Sequence, residues 1–91
     1  MERTYLVNGA VYIDRAFQKK TVLMADGKLE LLPPEAPTGD GQVVDAAGRR
    51  IVPGFVDIHT HGGVGVDVNG ASAGDLERVS RFMAGHGTTA W

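Results

Sequence analysis

The sequence predicts a mixed α/β chain in two parts, an all-β module over residues 1–52 and the beginning of a βα-repeat architecture over residues 53–91. Three observations carry that expectation. Short β-rich runs separated by turn dipeptides fill the first half. An apolar run ending in His59-Thr60-His61 and a glycine pair opens the second half. Behind it, Leu76, Val79 and Met83 recur at helical spacing after a Ser-x-x-Asp start signal.

Taken in order, Thr4-Tyr5-Leu6-Val7 and Ala10-Val11-Tyr12-Ile13 read as two β-rich runs about an Asn8-Gly9 turn. Thr21-Val22-Leu23-Met24 and Leu29-Glu30-Leu31-Leu32 flank Ala25-Asp26-Gly27-Lys28, where Asp-Gly supplies the positive φ of a tight hairpin. The proline-rich stretch from Pro33 to Gly41 can sustain neither ladder nor helix and reads as an exposed loop. Gln42-Val43-Val44-Asp45 resumes as a strand, and Ala47-Gly48 turns it toward Arg50-Ile51-Val52.

After the Pro53-Gly54 break, Phe55-Val56-Asp57-Ile58 reads as a short buried strand of the parallel-sheet kind. Side chains two apart leave one face of a strand, so His59 and His61 form half of a transition-metal site at the strand end. Asp57 shares their parity. It reads equally as an acceptor orienting a ligand imidazole and as a partner for a neighbouring strand or backbone amide. Asp67, in the loop after the histidines, reads as ending a turn in preference to contacting substrate. A helix from about Ala73 to Ala84 follows, with Glu77, Arg78 and Arg81 on its wetter side and Gly85 or Gly87 closing it. His86, in the turn beyond, reads as a capping or surface histidine and not as a third ligand, and Thr88-Thr89-Ala90-Trp91 begins a second β-rich run. Strand, liganding loop and helix together make the βα unit of an α/β barrel, whose active site gathers at the carboxyl ends of its strands.

Composition narrows the function classes. With 43% hydrophobic and 22% charged residues and a formal net charge of -2, the chain offers no electrostatic case for nucleic acid or an anionic membrane. It has no cysteine, so a metal must be held by histidine, carboxylate and water. No stretch reads as a signal peptide or a membrane span, and a soluble, cytoplasmic protein is the default expectation.

The run from Val44 through Pro53-Gly54-Phe55-Val56-Asp57-Ile58 to His59-Thr60-His61 resembles the signature of the amidohydrolase superfamily, metal-dependent hydrolases built on a (β/α)8 barrel. Within it, His61-Gly62-Gly63-Val64-Gly65-Val66-Asp67-Val68 and Gly85-His86-Gly87-Thr88-Thr89 resemble the N-acetylglucosamine-6-phosphate deacetylase branch. This resemblance implies that residues 1–52 are the N-terminal part of a small β-sandwich domain. Residues 53–91 are then the first βα unit, and the start of the second strand, of a truncated barrel. It implies a divalent metal, zinc or iron, held in part by His59 and His61. The implied reaction is hydrolysis of an acetamide on a small-molecule amino-sugar phosphate, giving glucosamine 6-phosphate and acetate. No residue here matches the family's later ligands or its catalytic aspartate.

A full barrel takes about 250 residues, and this chain has 91. The sequence alone therefore predicts an inactive N-terminal fragment whose open strand edges lead to homo-oligomerisation. Two other readings remain open. One is another amidohydrolase, acting on a cyclic amide, an acylated amino acid or an aminated ring. The other is a non-enzymatic β-rich binding module.

Overall fold

A computed structural model describes residues 2–91, and the described chain is mixed α/β, mostly strand. It divides into two compact units, the first ending at Val52 and the second spanning Pro53–Trp91.

The first unit is a five-stranded sheet. β1 (Arg3–Ile13) lies between β2 (Ala16–Ala25), antiparallel, and β4 (Gln42–Asp45), parallel. β3 (Lys28–Leu32) pairs with the far edge of β2, and β5 (Arg50–Ile51) runs parallel to the second half of β1. The Asp26-Gly27 hairpin forms as expected, with φ of 53° and 70°.

The Asn8-Gly9 turn does not form. β1 runs straight through it, and the β1–β2 register slips between Leu6 and Gly9, so the left-handed Asn8 (φ 60°) makes a bulge. Asn-Gly supplies a positive φ equally to a bulge and to a turn; here β2 pairs on both sides of it and keeps the strand continuous. The chain reverses instead at Asp14-Arg15, both at positive φ, and β2 starts five residues before Thr21.

Packing centres on Tyr5, Val11, Val22 and Leu23, with Thr21 fully buried. The loop from Pro33 to Gly41 covers one face: Thr21 Oγ1 donates to the Pro34 carbonyl at 3.3 Å, and Gly41 sits against the Tyr5 ring. Asp45 closes the sheet's last turn by accepting from Ala47 N–H at 2.8 Å and Asn8 Nδ2 at 3.1 Å, and these bonds hold its carboxyl below the usual range.

In the second unit, β6 (Phe55–Val56) pairs in parallel with β9 (Thr88–Ala90). Between them lie a small hairpin of β7 (Gly62–Gly63) and β8 (Val66–Asp67), a 3₁₀ turn at Val68–Gly70, and the helix α1 (Ala73–Gly85). The helix begins with the capping box its sequence announces: Ser72 Oγ accepts from Asp75 N–H, and the Asp75 carboxylate accepts from Ser72 N–H, each at 3.1 Å. It ends at His86, followed by Gly87 at φ 90°. Val79 is its one fully buried residue, while Glu77 and Arg81 pair on the wet side at 2.7 Å.

Two expectations about this segment change. The strand expected to be buried is two residues long, and Phe55 and Val56 are exposed because, among the described residues, β9 is their only strand neighbour. His59 and His61 lie past its end, in irregular backbone with a bend at Ile58, so strand parity does not set their directions.

Candidate metal centre

The last tie of β6 to its neighbour is Asp57 N–H donating to the Ala90 carbonyl at 2.8 Å. Beyond it the chain bends and throws Ile58 out, leaving it 94% exposed. Asp57 Oδ1 then accepts the His59 backbone N–H at 3.0 Å, an Asx turn that starts the loop. One residue on, the Thr60 hydroxyl lies 3.3 Å from Gly62 N and 3.4 Å from Gly62 O. The His61 carbonyl accepts from Val68 N–H at 2.9 Å. The histidine segment is thus held by main-chain bonds that use neither imidazole.

The two rings turn their tips toward each other. His59 Nε2 and His61 Nε2 stand 3.2 Å apart, closer than the ring centres at 5.0 Å, with the ring planes at 76°. Two histidine nitrogens on one tetrahedral metal, each about 2.0–2.1 Å from it, are about 3.3 Å apart. The observed spacing therefore fits a pair of ligands with a shared target. Among the described residues, each ring has the other as its only hydrogen-bond partner. Beside them lies an open depression of about 590 Å³, lined by Asp57, Ile58, His59, Thr60 and Trp91. No third His, Cys, Asp or Glu among the described residues joins the pair in a group that could hold an ion. Two imidazoles fill half of a four-coordinate shell.

The hairpin behind the histidine pair depends on Gly62, which sits at φ 135° with no room for a side chain against the Val66 carbonyl. Its turn places Val64 at φ 45°, rare for a β-branched residue, and Arg78 from α1 donates to the Val64 carbonyl at 3.0 Å.

The sequence-derived candidates fall into two groups. His59 and His61 converge. Asp57 contacts the main chain of His59 and no imidazole. Asp67 caps the 3₁₀ turn through Asn69 N–H at 2.9 Å. His86 Nδ1 lies 2.9 Å from the Phe82 carbonyl at the helix end. Sequence reasoning overlooked Thr60 and Arg78. A hydroxyl two residues before a glycine was the available signal for the first; the second had none, because its partner is a carbonyl fourteen residues away.

A model described as the amidohydrolase family matches residues 42–90. The chain belongs to the amidohydrolase family. Members of this family are hydrolytic enzymes and are generally metal-dependent. This amidohydrolase chain is 46% identical over 55 residues to dihydropyrimidinase 2 of Caenorhabditis briggsae, a match covering 59% of the chain and 11% of that protein. It is 38% identical over 56 residues to an allantoinase of Desulfitobacterium hafniense, covering 62% and 12%. It is equally 38% identical over 56 residues to a dihydroorotase of Lactobacillus leichmannii, covering 62% and 13%. The matches thus span about an eighth of each relative's length. No helix among the described residues is long and apolar enough to cross a membrane.

Proposed function

We propose that this chain serves metal-dependent hydrolysis of a ring amide, with His59 and His61 as two of the metal's ligands. The observation that carries the reading is the 3.2 Å approach of two imidazole nitrogens that have no other partner among the described residues. Support for a ring amide comes from the relatives named dihydropyrimidinase, allantoinase and dihydroorotase, which are cyclic amidases. The amino-sugar deacetylase implied by the glycine-rich loop gains no support from those names, so the ring-amide reading, the alternative at the sequence level, comes first.

A bound divalent ion, zinc or iron, supplies Lewis-acid polarisation of the scissile carbonyl and acidifies a water. This chain's own contribution is to present two imidazoles on a loop fixed by Asp57, Thr60 and Val68. The remaining ligands and the proton-transfer groups lie outside the pair. In this reading β6, α1 and β9 belong to a (β/α)8 barrel, and the five-stranded sheet belongs to a β-sandwich. The substrate is a small molecule taken from the cytoplasm. Self-association runs through the free edge of β3, where Leu29 is 71% exposed.

A substrate panel on zinc-loaded protein from its native source tests the proposal. Turnover of dihydropyrimidines or related ring amides, lost in His59→Ala and His61→Ala, is the expected result. Turnover confined to N-acetylglucosamine 6-phosphate would move the assignment to the deacetylase. Activity indifferent to both substitutions would remove the pair from the chemistry.

A further inference from the structure

We propose that Asp57 is a positioning residue for the metal pair, acting through the main chain of His59 and not through an imidazole. This rests on the reading of His59 and His61 as metal ligands.

The two histidines are held unevenly. His61 is tied on its C-terminal side, where its carbonyl accepts from Val68 N–H and the next residue, Gly62, begins the β7–β8 hairpin. His59 has no comparable support. Among the described residues, the bond from its N–H to Asp57 Oδ1 is the only hydrogen bond to its main chain. Asp57 is in turn anchored, because its own N–H donates to the Ala90 carbonyl at the end of β9. One residue therefore links the sheet to the first ligand through two short bonds.

The geometry shows what this link achieves. The Asx turn bends the chain at Ile58, leaving that apolar side chain exposed, and fixes where the His59 main chain leaves the end of β6. The carboxylate contributes an acceptor oxygen at a fixed place. A neutral amide oxygen at the same place does the same, so the role belongs to the acceptor and not to the charge.

The test is zinc titration of the 91-residue chain, followed by ¹⁵N-edited NMR of the imidazole nitrogens and by amide exchange at His59. In the wild type, both Nε2 resonances shift together. Asp57→Ala is expected to weaken zinc binding about 10- to 100-fold, the range typical of lost outer-shell support. It should also speed exchange of the His59 N–H while that of Val68 keeps its protection. Asp57→Asn is expected to retain both the binding and the slow exchange.

Wild-type binding by Asp57→Ala overturns the proposal, and so does an Asp57→Asn variant as weak as Asp57→Ala, because that result assigns the effect to charge. If Asp57→Ala does not fold, Asp57→Asn decides alone: weak binding overturns the proposal and near-wild-type binding sustains it. Zinc binding that survives in the His59→Ala/His61→Ala double variant overturns the metal-pair reading itself, a result distinct from any of these.

Discussion

In the first unit β1 finds partners for nine of its residues in β2 alone, whereas in the second unit β6 offers two residues to β9. The sheet is held by a ladder and by side chains packed across it. The histidine loop is held by single bonds from Asp57, Thr60 and Val68 to specific backbone groups. A ladder spreads the consequence of any one change over many neighbours, while a chain of single bonds concentrates it. Stability and site geometry therefore depend on different residues, and substitutions can separate them.

Tyr5→Ala bears most heavily on the sheet. It removes a ring that is 5% exposed and lies under Gly41, and should cost about 3–5 kcal/mol in urea unfolding. A cost near zero would mean that the loop from Pro33 to Gly41 collapses onto the gap.

Gly62→Ala is the counterpart in the loop. It forces a side chain into the Val66 carbonyl at a φ that L-residues avoid, at a cost of about 3 kcal/mol. Its effect should be local: loss of exchange protection at Val68 N–H and loss of paired zinc shifts at the two histidines, with β1 and β2 protection unchanged.

Ser72→Ala removes the helix cap and should cost about 1 kcal/mol, read as lower helicity of α1. The same cap gives a pH signature. The Ser72 backbone N–H, and then its hydroxyl, hold the Asp75 carboxyl below its ordinary value. A depressed folded-state pKa contributes stability that is present above the unfolded value and is lost as pH falls through the folded one. Acid should therefore loosen α1 below the usual carboxylate range, and Asp75→Asn should flatten that limb. Asp45→Asn should do the same for the turn at Ala47 in the sheet unit.

Much of this was legible from the sequence where one residue type has one physical use. Asp26-Gly27 turned a hairpin, Ser72-x-x-Asp75 capped a helix, and the prolines from Pro33 to Pro37 stayed out of the ladder. Misreadings occurred where a residue type has two uses. Asn8 takes a positive φ in a bulge as readily as in a turn, and only pairing with β2 decided between them. The reversal at Asp14-Arg15 carries no glycine to announce it. At the site, the sequence singled out His59 and His61 as a pair but assigned their convergence to strand parity. In the structure both histidines lie past the strand end, behind an Asx turn that His-x-His spacing does not encode.

The loop between β6 and α1 is closed off at both ends by bonds that never reach into it. Asp57 N–H ties the entrance to β9, and the Ser72–Asp75 box starts the helix without help from what precedes it. Sequence drift between these two clamps leaves strand and helix where they are. Such an arrangement favours evolvability: apart from Gly62 and Val68, which hold the His61 side of the loop, the segment that follows the histidines can be rewritten for a new ligand while strand and helix stay unaltered.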